Sequence, residues 1–310
     1  MPDIACLGLL VADTVGATID ALPARGTLAL IDRIELHTGG CAANTGGSLA
    51  KIGVSTAVLG KVGSDGYGDF MIRALGEIGV DTRGIRRDSS VATASTIVTV
   101  HSDAERSFLH VIGANAKLTA ADVDWDIVGD GAKIFHIGGL QLLSALEGDD
   151  AREVLRTAKE KGLLTTLDTV MNPRSRGWAG IAPCLPHLDW ALPSIEEAQA
   201  LTGEVKALKQ ARMFQAAGAR NVAVKMGANG CLVVPHDGEP FHVAPLVVEA
   251  VDSLGAGDAW VGGFLTGLLH AWPLLKTAQF ANAVGACCVQ SYGATAGVRS
   301  LADTLALIGE

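Results

Sequence analysis

Ile4-Ala5-Cys6-Leu7-Gly8-Leu9-Leu10-Val11 is an unbroken apolar run that ends at Asp13. A strand that is apolar at every position leaves no face for water, which is the pattern of a central strand in a parallel sheet. Outward from it the chain alternates. Helical patterns cover residues 41–52 and 69–78, the second stopping at Gly79, with a strand at 57–59 between them. Further strands are expected at 133–136, 163–167, 188–191 and 221–224, and further helices at 149–161, 195–201 and 206–217. Alternating βα units predict an α/β fold: a central, mostly parallel sheet with helices on both faces. Residues 14–38 break this rhythm, with short alternating pieces at 28–31 and 33–36. Residues 94–100 and 108–112 read as a hairpin around Ser102-Asp103-Ala104-Glu105. These two irregular regions, about 14–38 and 94–112, are expected to form a small β lid over one end of a single domain spanning 1–310.

Composition narrows the function classes. A chain of 310 residues, 49% hydrophobic, buries one large core and is not disordered. A net charge of −9 excludes broad nucleic-acid or anionic-membrane binding, though not a small anionic ligand held by backbone N–H groups. The six cysteines, Cys6, Cys41, Cys184, Cys231, Cys287 and Cys288, form no CxxC pair and no zinc spacing. Buried thiols in a reducing cytosol are expected, so the protein is read as cytoplasmic. The N-terminus carries Asp3 and Asp13 and no basic region, unlike a signal peptide. Residues 259–275 lack charge but include Gly262, Gly263, Gly267, His270 and Pro273, which suits a buried helix rather than a membrane span.

The chemistry is concentrated in Asp252-Ser253-Leu254-Gly255-Ala256-Gly257-Asp258. It reads as a loop feeding a helix N-terminus, where unpaired N–H groups and the helix dipole attract an anion. Glycines there let a phosphate approach the backbone. By itself the stretch reads first as a glycine turn capped by an aspartate. Four other segments accompany it: Gly39-Gly40-Cys41-Ala42-Ala43-Asn44, Leu192-Pro193-Ser194-Ile195-Glu196-Glu197, Lys225-Met226-Gly227-Ala228-Asn229-Gly230 and Ala281-Asn282-Ala283-Val284-Gly285-Ala286.

In this order and at these separations, the segments resemble the ribokinase-like (PfkB-type) carbohydrate kinases, from about Ile4 to the C-terminus. The resemblance implies ATP-dependent phosphorylation of a primary hydroxyl of a small sugar. Asp258 would be the general base, and Gly255, Ala256 and Gly257 the anion hole. Asp13, Gly39, Gly40 and Asn44 would bind the sugar. Lys225, Gly227 and Gly230 would line the ribose and phosphates of ATP, and Asn282, Gly285 and Ala286 the adenine. Glu197 would order Mg²⁺ through water, with Ser194 standing where the family often has Asn. Asp252 and residues 288–297 would form a K⁺ site, and the lid a homodimer contact. No GxxxxGK[ST] occurs, so this is no Walker-type kinase.

Gly113-Ala114-Asn115-Ala116-Lys117 resembles the ribokinase branch. Val11 and Gly138-Gly139 stand where ribokinases carry an amide and an acid, which favours a hexose, keto sugar or nucleoside over ribose. A phosphorylated sugar would need cations such as Arg106, Arg174 or Arg176. Two other readings stand beside the sugar kinase: a nucleoside kinase of the same family, and a non-catalytic sugar-binding sensor. His136 reads as a core histidine.

Overall fold

The computed structural model describes residues 1–103, 105–129 and 131–310, and the statements below concern these. Ala104, in the turn of the expected hairpin, lies outside them. The strands are β1 (Ile4–Gly8), β2 (Val11–Ala17), β3 (Arg33–Gly39), β4 (Thr56–Gly63), β5 (Ile85–Asp88), β6 (Ser95–Val100), β7 (Arg106–Val111), β8 (Ile134–Gly138), β9 (Leu164–Leu167), β10 (Trp190–Ala191), β11 (Asn221–Lys225), β12 (Cys231–Val234) and β13 (Phe241–Val243). The helices are α1 (Cys41–Ile52), α2 (Gly66–Glu77), α3 (Trp125–Val128), α4 (Asp149–Glu160), α5 (Trp178–Ile181), α6 (Ile195–Thr202), α7 (Ala207–Ala216), α8 (Ala256–Leu269), α9 (Leu274–Cys288) and α10 (Leu301–Leu307).

The large sheet runs β13-β12-β11-β10-β9-β8-β1-β4-β5. It is parallel from β5 to β11, and β12 and β13 add an antiparallel edge. β1 lies inside the sheet, between β8 and β4, and is buried at every residue. Its side chains alternate between two core layers. Ile4 and Cys6 join the layer under α1, α2, α8 and α9, while Ala5 and Leu7 join the layer under α4, α6 and α7. Helices on both faces explain why the strand carries no polar position. The chain leaves β1 for β4 on one side and returns to β8 on the other. Such a switch point opens a crevice at the carboxyl ends of the strands.

The opening apolar run is two strands, not one. β1 stops at Gly8, where a Cβ would lie 2.2 Å from the Gly138 carbonyl oxygen. Leu9 and Leu10 cross to a second sheet, and Asn115 pins Leu10 by accepting from its N–H (3.2 Å) and donating to its carbonyl (3.0 Å). Both leucines are buried, so apolar character continues while the strand does not. Asp13 therefore sits within β2, not at the end of the first strand.

The second sheet has the order β3-β2-β6-β7. β6 and β7 are the expected hairpin, paired Ser95 with Val111 through Val100 with Arg106. Residues 33–36 fall in β3, but 28–31 form no strand. On the face turned to the large sheet, His37, Asp13, Thr96 and His110 stand in one row. On the other, Leu36, Thr14, Ile97 and Leu109 do. No helix among the described residues is long and apolar enough to cross a membrane.

Candidate active site

The carboxyl ends of β9, β10 and β11, the loop before α8 and the flank of α9 enclose a cavity of about 700 Å³. Gly255, Ala256, Gly257, Asp258, Glu197, Lys225, Gly227, Gly230, Asn282, Gly285 and Ala286 all line it. Of the residues read for nucleotide, metal and catalysis, the cavity thus gathers every one except Asp252, which starts the loop before α8 and does not line the cavity.

α8 begins at Ala256, and no side chain caps it. Among the described residues the N–H groups of Gly257 and Asp258 have no partner and can hold an anion, while Ala256 N donates to the Ser253 carbonyl at 3.3 Å. Gly255 adopts φ +73°, and a Cβ there would press within 2.5 Å of Ala294. Gly257 has open space, with Lys225 Nζ the nearest atom at 3.6 Å from a Cβ built on it. A glycine that nothing in the protein crowds leaves room for a ligand.

Asp258 does not cap the helix; its carboxylate turns to α1. Asn44 Nδ2 donates to Asp258 Oδ2 at 2.8 Å, and Thr45 Oγ1 donates to the Asp258 carbonyl at 3.3 Å. Gly40, at φ +93°, starts α1 against the Leu9 carbonyl, where a Cβ would stand 2.5 Å away. That close approach points the first turn of α1 at Asp258. The one side-chain acceptor of Asn44, Oδ1, is buried and has no protein partner, so it is available to a ligand hydroxyl. Gly39 lies against Asp13: a Cβ at 39 would meet Asp13 Oδ2 at 2.1 Å. The four sugar-assigned residues thus form a second cluster that joins the cavity through Asn44 and Asp258.

Charge is packed densely here. Lys225 Nζ lies 2.5 Å from Asp168 Oδ1, and both are buried. Burial works to lower Lys225, but Asp168 and then Glu197 outweigh it and hold the ammonium above its ordinary range. Burial pushes the Asp258 carboxyl up, opposed by the Asn44 hydrogen bond and by Lys225. Burial also raises Asp13, to about 6, against the Thr96 hydrogen bond and His37. Cys41 lines the cavity, and burial, Asp258 and Asp168 keep its thiol protonated.

Glu197 accepts from Ser194 N at 2.8 Å and from Thr169 Oγ1 at 2.7 Å. With Ser194 Oγ accepting from Glu197 N, it completes a capping box on α6. Asn282 is committed within the protein: Trp260 Nε1 donates to its Oδ1 at 2.8 Å, and its Nδ2 donates to the Ala244 carbonyl at 2.8 Å. It shapes the cavity wall. His136 is buried in β8, with Nδ1 2.8 Å from Thr166 Oγ1 and Nε2 without a partner. Arg106 pairs with Asp252, so it is not free for a phosphorylated sugar, and Arg176 Nη1 donates to the Glu147 carbonyl.

Sequence reading missed Asp168 and Thr169. The signal was present in Leu164-Thr165-Thr166-Leu167-Asp168, a strand closing on a carboxylate, the same feature that singled out Asp13. It also missed His37, Thr96 and His110, which flank Asp13 only through cross-strand pairing.

The pfkB family carbohydrate kinase model matches residues 1–301. Fructokinase-2 of Oryza sativa subsp. japonica is 31% identical over 289 residues, covering 88% of this chain and 85% of that protein. Aminoimidazole riboside kinase of Salmonella typhimurium is 31% identical over 279 residues, covering 83% of each. Among solved structures, an Escherichia coli protein described as a ribokinase II, in complex with ATP and Mg²⁺, is 26% identical. It superposes with a TM-score of 0.85 over 100% of this chain and 99% of that one.

Proposed function

The chain belongs to the pfkB family of carbohydrate kinases, phosphotransferases with an alcohol acceptor, and on that premise we propose that it moves the γ-phosphoryl group of ATP to a primary hydroxyl of a small neutral sugar. The observation that carries this reading is the 2.8 Å hydrogen bond from Asn44 to Asp258. It joins the small-sheet cluster around Asp13 to the uncapped first turn of α8, so an acceptor and a phosphate can meet at one carboxylate.

In this reading Asp13 and Asn44 hold the sugar with one hydroxymethyl group at Asp258. Asp258 removes its proton as the oxygen attacks. Its raised pKa makes it a stronger base than an exposed aspartate. The N–H groups of the α8 first turn, with Lys225 beside Gly257, offset the negative charge of the transferring group. The glycines 227 and 230 and the α9 wall at Gly285 and Ala286 leave room for the nucleotide.

The acids fit a divalent cation. Asp168, Glu197 and Asp258 surround the single ammonium of Lys225, and that local excess of negative charge suits Mg²⁺ carried in on the phosphates. Among the described residues no group of three His, Cys, Asp or Glu side chains could hold a metal ion by itself; Mg²⁺ would come with the phosphates and its own waters. Glu197 would hold those waters, and the ion supplies charge neutralisation at the phosphate oxygens. Chelation is expected to abolish turnover and added Mg²⁺ to restore it.

We assign the outer face of the small sheet to a homodimer. Ile34, Leu36, Ile97 and Leu109 are exposed on it, Leu109 by 62%. Light scattering should give a dimer that Ile97→Lys together with Leu109→Lys splits. The function itself is tested by a coupled ATPase assay over neutral sugars and nucleosides. Turnover of a hexose or keto sugar supports it, turnover of nucleosides alone replaces the substrate class, and turnover of none removes the kinase assignment.

A further inference from the structure

Asp252 heads the loop that leads into α8, and its side chain is 2% exposed. A carboxylate so far from water needs an opposite charge and a full set of donors. Its Oδ1 accepts from Leu254 N at 2.9 Å. Its Oδ2 accepts from Gly293 N at 2.8 Å and lies 2.9 Å from Arg106 Nη2. Asp252 is therefore the knot that ties the loop before the anion hole to residues 290–296. The counter-charge comes from elsewhere, since Arg106 opens β7 of the small sheet. It stands on the face turned to the large sheet, in the row of Arg33, Ala17 and Val100. Arg33 lies over the Tyr292 ring at 5.4 Å, so the same edge of the small sheet rests on both segments that Asp252 joins.

These residues do not fit a bound K⁺. A monovalent cation at Asp252 would need a carboxylate with charge to share, and the Arg106 guanidinium already neutralises it. The neighbouring carbonyls of Ala294 and Leu254 lie 3.2 and 3.6 Å from the Cys288 Sγ, so one of them receives its single proton.

We propose that the Arg106 guanidinium takes the place of a monovalent cation at Asp252 and acts as a positioning residue for phosphoryl transfer, coupling the small sheet to the anion-hole loop. The proposal rests on the kinase reading. With Arg106 in place, Asp252 stays inward and holds Leu254 N, and the turn at Gly255 presents the first-turn N–H groups of α8. Without it, the buried carboxylate turns toward solvent and the loop loses its registration. Misplacing a reacting group by about 1 Å can cost 10²-fold, so the loss falls on kcat while the KM for ATP changes little.

The test compares KCl, NaCl and choline chloride at equal ionic strength. Wild-type kcat should be the same in all three. Arg106→Gln should lose roughly 10–10²-fold in kcat in Na⁺ or choline and recover in part in K⁺. Arg106→Lys, which keeps the charge, should stay near wild type. The thermal midpoint of Arg106→Gln should rise with K⁺, and that of the wild type should not. Several-fold K⁺ activation of the wild type overturns the proposal, as does an Arg106→Gln enzyme that turns over like the wild type. A slow Arg106→Gln enzyme that K⁺ does not restore, matched by an equally slow Arg106→Lys, also overturns it, because packing rather than charge would then be at work. The melting arm needs no turnover. It separates the two claims: K⁺ stabilising only Arg106→Gln supports the cation replacement even if no sugar is phosphorylated, and K⁺ stabilising both proteins or neither overturns it.

Discussion

At the scale of residues, two carboxylates of the site stand in different settings. Asp258 is buried against Asn44 and faces the free end of α8. Removing its charge while keeping its shape should separate binding from chemistry. Asp258→Asn is expected to bind sugar nearly normally and to lose roughly 10²–10⁴-fold in kcat, read by titration calorimetry beside the coupled assay. Near wild-type turnover in that variant would leave the aspartate a structural role. Asp13 differs because its carboxyl is raised to about 6 by burial. Sugar hydroxyls donate to the ionised form, so a proton competes with them. Sugar affinity should be flat above pH 6 and should weaken about tenfold per unit below it. Stability runs the opposite way. The native state binds this proton more tightly than the unfolded chain, whose aspartate titrates near the ordinary ~3.9. The contribution of Asp13 to stability is therefore greatest below about pH 4 and is lost as the pH rises through 6. Calorimetric sugar titrations at pH 5 and 7 test the binding slope, and Asp13→Asn should abolish it. A slope that survives in Asp13→Asn would assign the proton to another group.

At the scale of elements, two glycines two positions apart carry opposite expectations. Gly255 is a hinge of the backbone: φ +73° and the Ala294 contact leave no place for a side chain. Gly255→Ala should lower the melting temperature, since the left-handed conformation alone costs about 1–2 kcal/mol. Gly257 is free of such contacts, so Gly257→Val should fold and bind sugar yet abolish turnover by filling the phosphate approach. Unchanged kcat in a folded Gly257→Val would remove the anion hole from α8. Local signals announced these elements well. α1 was legible to the residue because glycines bound it at 40 and 53, and β6–β7 because alternating runs flank a polar turn. The break between β1 and β2 was not, because Leu9 and Leu10 are as apolar as the strands they connect. β12 and β13 were passed over for a similar reason: a short antiparallel edge has no alternating helix to mark it. The loop that suggests a cation at Asp252 is visible in sequence, but the reach of Arg106 from the small sheet to Asp252 is not.

At the scale of the whole molecule, the parallel sheet was legible because its strands are local and apolar, whereas the meeting of two sheets is a long-range fact. The row of His37, Asp13, Thr96 and His110 exists only through strand pairing, and so does the contact of Arg106 with Asp252. This arrangement has a dynamic consequence. Asp13 and Asn44 are buried between the small sheet and the carboxyl edge of the large one, so on the proposed function a sugar would enter when the two separate. Arg106, Arg33 and the residues they touch are the contacts that such a movement breaks and remakes. We expect the small sheet to act as a lid that closes on sugar and excludes water from the phosphoryl group, which protects ATP from hydrolysis. Hydrogen exchange is the direct measurement, because opening exposes the ladder N–H groups of a sheet with two free edges. Residues 14–38 and 94–112 should exchange faster than β1 and β8 in the free protein and should slow on addition of the sugar that is turned over. ATP alone should protect the turn at 255–258 and leave these segments unchanged. Protection of the small sheet without turnover would favour a sugar sensor. Turnover with no protection at all would show that closure is not part of the reaction.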